Sequence, residues 1–270
     1  MPAREYIRLV LGGIGAVGDV SVVQTLLRQT DATLRRYADP GWRQSGRALT
    51  TGALRRLMEQ AGPGSDVQLA YAQAFIGAAL SDEDLALLAG LLDATVTIEG
   101  LTVDTELRWR ILHRLVSRGA AGEPRIEAEL GLDATDAGAR HAAACRASMP
   151  DPAAKEAAWA QIVSGTLPNA TFRAMLAGFM DDDQPELLAP YVDRYFEVVP
   201  DVWRDWTTDM ARWFVAYAYP GGDDPVVITK TTELIEGNDL PPGLVRLLVE
   251  GRDGLRRALR CQERDRRAAG

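Results

Sequence analysis

The sequence predicts an all-α fold, an α-solenoid or superhelix of antiparallel helix pairs, and three observations carry that expectation. Ala, Leu, Arg, Glu and Gln outnumber the β-branched and aromatic residues that favour strands. Apolar residues recur at three- and four-residue steps along most of the chain. Short breakers rich in Asp, Gly and Pro divide it into segments of about 8 to 20 residues, the length of ordinary helices. Many such helices joined by short turns bury their apolar stripes most simply by stacking in pairs.

The segments follow in order. From Pro2 to Leu11, Tyr6, Leu9 and Val10 fall on helical spacing, with Gly13 and Ile14 just beyond. Asp19 then caps a segment whose stripe is Val22, Val23, Leu26 and Leu27, and Asp39-Pro40 ends it. "PGWRQSGRALTTGALRRLMEQAG" runs from Pro40 to Gly62; "DVQLAYAQAFIGAAL" starts at a capping Asp66; "SDEDLALLAGLL" opens on Ser81 and Asp84 at capping-box spacing. "DATVTIEGLTVD" is the best place for a short extended segment. The next helix has Asp104 as N-cap, Gly119 past its end, and Leu107, Ile111, Leu112, Leu115 and Val116 on one face.

The second half repeats the style in "EPRIEAELG", "DATDAGARHAAACRAS", "DPAAKEAAWAQIVSG", "LPNATFRAMLAGFM", "DQPELLAPYVDRYFEVV", "PDVWRDWTTDMARWFVAYAYP", "DDPVVITKTTELIEG" and "PPGLVRLLVEGRDGLRRALRCQERD". Several open with a Pro at the first helical position, where its fixed φ helps and its missing N–H costs nothing.

One motif argues for a different fold. Gly13, Gly15 and Gly18 spell G-x-G-x-x-G, and Asp39 lies about 20 residues on, where a dinucleotide site places its ribose-binding acid. That site needs a strand before the glycines and another ending in the acid. "REYIRLVL" carries charges at helical spacing, and "TDATLRRYAD" has neither alternation nor a β-branched core. The glycines are expected instead to break one helix and let the next pack closely, and no cofactor is expected in this chain.

Composition excludes further classes. With 47% apolar and 25% charged residues over 270, the chain has the balance of a soluble globular protein with a sizeable core. A net charge of −8 repels nucleic acid and anionic membrane, and neither is expected as a partner. The longest apolar run, Leu85 to Leu92, falls short of the roughly 18 residues of a membrane span. Cys145 and Cys261 supply no disulfide framework, and a reducing, cytoplasmic setting is expected.

No constellation reads as a reactive centre. His113 and His141 are the two histidines, and H-E-x-x-H is absent. His141 and Cys145 share a helix face but lack third and fourth metal ligands. There is no G-x-S-x-G elbow. "MDDDQ" at 180–184 reads as an acidic helix N-terminus favourable to the dipole. The C-terminal "RDGLRRALRCQERDRRAAG" reads as a solvated last helix that frays. Arg108, Arg110 and Arg204 could meet a peptide carboxylate, but Arg is too abundant here to single them out. Catalytic, cofactor-binding and metal residues are therefore all expected to be none. Tyr191, Tyr195, Phe196, Trp203, Trp206, Met210, Trp213, Phe214 and Tyr217 form the richest cluster; those from 203 onward recur at helical steps, and core is favoured over a ligand cage.

Those residues also carry a likeness. Residues 171–220, with Phe172, Phe179, Gln184-Pro185-Glu186-Leu187-Leu188, Tyr191, Tyr195-Phe196, Trp203 and Tyr219-Pro220, resemble the C-terminal helical domain of aminopeptidase N and the endoplasmic-reticulum aminopeptidases, actinobacterial type. "EGLTVDTELRWRILHRL" (99–115) and "KEAAWAQIVSG" (155–165) resemble it too, and the similarity spans the chain. The resemblance implies a HEAT-like helical superhelix, residues 1–270 forming a single domain that folds over the catalytic domain of a zinc aminopeptidase. There it would enclose the peptide substrate and gate its access. The family's H-E-x-x-H helix, its glutamate ligand and its G-A-M-E-N motif have no counterpart here, so no catalytic residue carries over. Zinc then belongs to the parent enzyme's catalytic domain, the domain's partner, and Met1 falls in an interdomain segment. A self-standing helical-repeat scaffold that binds a protein or peptide is the alternative.

Overall fold

A computed structural model describes residues 1–268, and among these every regular element is a helix. The elements are α1 (Ala3–Gly13), α2 (Val20–Ala32), α3 (Arg43–Gln60), α4 (Asp66–Ala78), α5 (Asp82–Leu92), α6 (Thr105–Ser117), α7 (Glu123–Leu132) and α8 (Asp136–Ser148). There follow α9 (Pro152–Val163), α10 (Asn169–Phe179), α11 (Pro185–Leu188), α12 (Tyr191–Asp205), α13 (Thr208–Tyr217), α14 (Val226–Glu236) and α15 (Pro242–Arg267). The all-α expectation holds.

Several helix starts follow from single side chains. The Asp19 carboxylate accepts from the N–H groups of Ser21 and Val22, Asp104 from that of Leu107, and Asp151 from that of Ala154. Ser81 Oγ accepts from Asp84 N as its spacing predicts. At α4 the cap is Ser65, not Asp66: Ser65 Oγ accepts from Gln68 N, leaving Asp66 in the first turn. Gly119 stops α6 at φ +72°, a conformation costly for any side chain, with its N–H on Val116 O.

Three local expectations are corrected. The buried stripe of α1 is Ala3, Ile7 and Val10 with Ile14, while Leu9 faces solvent; α2 likewise buries Val23 and Leu27 and exposes Val22. Glycine and backbone geometry explain the second. Residues 93–104 form turns and no strand, because the N–H groups of Thr95 and Val96 both close back on Gly90 O and that of Leu101 on Ile98 O. Finally, α12 runs through Pro200 to Asp205, so the helix expected to begin at Pro200 begins instead at Thr208. Val199 and Val202, either side of the proline, are buried on one face of α12.

The chain divides into two compact units. Unit 1 comprises Met1–Leu115 with the chain from Leu259 on; α3 packs on α4, α2 on α4 and α1 on α3. Its core includes Ile7, Leu54, Met58, Phe75, Ile76 and Trp109. Unit 2 is Val116–Ala258, with α7 on α8, α8 on α9, α10 on both, and α12 on α13 and α14. These packed pairs lie one or two helices apart in sequence, an order compatible with stacked helix pairs. Gly178 permits a close approach of α10 to α8: a Cβ there would fall on the carbonyl of Ala144.

Candidate functional site

Unit 2 is welded by the aromatic residues that the sequence marks out. Trp159 lies 5.2 Å from Tyr191, 5.6 Å from Phe179 and 6.0 Å from Phe214, measured between ring centroids. Phe179 meets Tyr191 edge-on at 4.9 Å, and Tyr195 stacks on Phe214 at 5.7 Å. Tyr195 is fully buried and its Oη donates to Val215 O at 2.7 Å, while burial pushes its hydroxyl well above the usual tyrosine range. Core is therefore the correct account of this cluster. Its members from 203 onward do not share one helix, because Trp203 lies on α12, Trp206 just past its end, and Met210, Trp213, Phe214 and Tyr217 on α13. Tyr217 remains exposed, stacked on Trp213, which Arg173 covers at 4.0 Å.

Beside this core three helices end together. Each helix leaves its last carbonyls without intrahelical donors, and each end carries partial negative charge. Gln184 Nε2 donates to Ser117 O, the last residue of α6, at 2.8 Å and to Ser148 O, the last of α8, at 2.9 Å. Lys155 Nζ donates to Ala147 O in α8 at 2.9 Å and to Phe179 O, the last residue of α10, at 3.0 Å. Its ammonium also sits 5.3 Å from the Phe179 ring centroid. Arg118 donates to Asp181 at 2.5 Å and lies 3.8 Å from Asp183.

This clasp was not legible as such in the sequence. "MDDDQ" does not serve a helix dipole: Asp181 and Asp183 hold Arg118, and Gln184 reaches back to two older helices. Lys155 is fully buried, and desolvation lowers its pKa to about 8, with Asp181 opposing and Arg118 reinforcing the shift. One signal could have found it. Lys155 is one of two lysines among 30 basic residues, and a compact ammonium fits between two carbonyls where a planar guanidinium does not.

The remaining candidates disperse. Gly13 ends α1, Gly15 sits in a 3-10 turn with Leu57 against it, and no strand precedes or follows, so the dinucleotide geometry is absent among the described residues. Asp39 accepts instead from Arg266. Cys145 is buried, and desolvation raises its thiol pKa to about 12, which disfavours the thiolate a metal needs. Among the described residues no three of His, Cys, Asp and Glu could together hold a metal ion. Arg108 donates to Leu92 O, Arg204 pairs with Asp201 and Asp205, and Arg110 is exposed on α6.

The comparison with known proteins decides what such a helical array is. A family model described as "ERAP1-like C-terminal domain" matches residues 1–257. The chain belongs to that family. It is also 44% identical over 271 residues to an aminopeptidase N of Streptomyces lividans, an alignment covering 100% of this chain and 32% of that protein. The chain therefore spans about a third of the length of the relative it matches. The resemblance read from residues 171–220 is borne out over the chain. Its residues have structural work in this ERAP1-like domain: Phe172, Phe179, Tyr191 and Tyr195 build the unit 2 core, and Gln184 ties two helix ends. No helix among the described residues is long and apolar enough to cross a membrane.

Proposed function

We propose that this ERAP1-like domain is the C-terminal part of a zinc-dependent aminopeptidase N, an enzyme that removes N-terminal residues from peptides. On this reading the chain holds no catalytic, cofactor or metal residue of its own. It encloses the substrate cavity against the catalytic domain and gates peptide access. The observation that carries the reading is the alignment at 44% identity along 100% of this chain with an aminopeptidase N. The state of the polar side chains supports it. Lys155, Gln184 and Arg118 are engaged with helix ends or with carboxylates beside them, and none is presented to a substrate.

A zinc aminopeptidase needs a metal-bound water and an exopeptidase anchor for the substrate amine, chemistry that the catalytic domain would supply. The helical domain would contribute by excluding water and limiting which peptides reach that centre.

Two assays test the proposal. The purified chain with added zinc should cleave an aminoacyl chromogenic amide no faster than buffer; turnover well above buffer would overturn the non-catalytic reading. A catalytic domain joined to this chain should differ from the catalytic domain alone in its ranking of peptides by length. An identical ranking would overturn the gating role.

A further inference from the structure

The last helix, expected to fray, is held by a buried carboxylate. Asp265 is fully buried near the end of α15, and one of its oxygens accepts from Arg4 N at 2.9 Å and from Arg4 Nε at 3.3 Å. Its other oxygen accepts from Asp39 N at 2.9 Å. One turn earlier, Gln262 Nε2 donates to Arg36 O at 3.0 Å. Arg266 reaches Asp39 at 3.2 Å, and Asp39 in turn lies 3.7 Å from Arg4. Two acids and two arginines, drawn from positions near 4, 39 and 265, thus close on one another.

The connectivity gives this cluster its meaning. Unit 1 is discontinuous, made of Met1–Leu115 and the chain from Leu259 on, whereas unit 2 is the unbroken stretch Val116–Ala258. The Arg4–Asp265 bonds join residues 261 positions apart, and closing so long a loop in an unfolded chain is entropically unfavourable. Unit 2 is built from residues 116–258, so none of the groups in this cluster belongs to it. Unit 1 lacks partners for two backbone N–H groups, those of Arg4 and Asp39, until Asp265 arrives. A buried N–H without an acceptor is disfavoured, so α1 and the turn at residue 39 depend on a side chain from the far end of the sequence.

We propose that the Asp265 carboxylate is a terminal latch: it fastens α1 and the residue-39 turn onto α15, and when it fails unit 1 opens locally while unit 2 stays folded. The test is hydrogen exchange on the full chain with Asp265→Asn, an isostere whose amide nitrogen faces a donor where an acceptor is needed. Peptides covering residues 2–11 and 36–42 should exchange at least tenfold faster than in the unaltered chain. Peptides covering residues 155–163 and 191–199 should be unchanged. Arg266→Ala, which removes an exposed ion pair of the same cluster, should alter either set less than twofold. If Asp265→Asn fails to fold, Gln262→Ala loosens the same turn more gently and should show the same order of opening. Unchanged exchange at residues 2–11, or acceleration of equal size in both units, would overturn the latch.

Discussion

At the scale of single residues, two buried groups set opposite pH dependences. Lys155 has its folded pKa lowered from 10.5 to about 8 by desolvation, so between those values the unfolded chain binds the extra proton. Stability from this group therefore climbs as pH rises through that window. Cys145 has its pKa raised from 9.0 to about 12, again by desolvation, so the folded chain keeps a proton that the unfolded chain loses, and stability falls over that range. Lys155→Met isolates the first effect. From pH 7.5 to 9.5 the unaltered chain should gain about 2 kcal/mol relative to the variant in urea unfolding; parallel curves would refute the assignment. Asp265 acts at the acid end. Burial pulls its carboxyl up, but hydrogen bonds from the N–H groups of Arg4 and Asp39 and from the Arg4 side chain outweigh that and leave it below 3.8. Its stabilisation is present above the ordinary carboxylate value and lost as pH falls through the lowered one, so Asp265→Asn should flatten the acid limb of the unfolding profile. The charges of these residues were legible in the sequence; their burial was not, because no local pattern distinguishes a lysine reaching two distant carbonyls from one on a solvated face.

At the scale of elements, caps were legible and faces less so. Asp19, Ser81, Asp104 and Asp151 act within three residues of themselves, and a local pattern suffices to read them. Asp104→Ala should cost about 1 kcal/mol in thermal or urea unfolding. Which side of α1 is buried depends on what lies against it, and spacing alone selected Leu9 where the structure buries Ile7. Pro200 misled for a related reason. A proline reads as a helix start from sequence, yet packing on both sides of it carries α12 onward. Pro200→Ala restores the missing N–H, and Tm should rise, by about 1 kcal/mol in stability terms. The close approach of α8 and α10 makes the reverse prediction. Gly178→Ala places a methyl on the Ala144 carbonyl and should cost roughly 1–3 kcal/mol, read from the urea midpoint.

At the scale of the whole molecule, charge makes a prediction of its own. With a net charge of −8, the chain should pass a phosphocellulose column without retention at low salt, and retention would contradict the exclusion of nucleic acid drawn from composition. Membership of the ERAP1-like C-terminal domain family was visible in the run from Phe172 to Pro220 because aromatic core residues and a Gln-Pro turn are both locally encoded. That the segment ahead of Gly15 is a helix, Ala3–Gly13, was also legible, from charges at helical spacing in residues 4–8.

Sequence by itself determined the helical class, most of the segment order, most of the caps and the family, since each rests on spacing within one or two turns of chain. Tertiary structure decided which stripes are buried, that Lys155 and Gln184 gather three helix ends, and that Asp265 closes a unit begun at the other terminus. The reason is physical. Propensity and capping act over a few residues, whereas a buried charge or amide is satisfied by whichever distant backbone groups the packed helices bring to it.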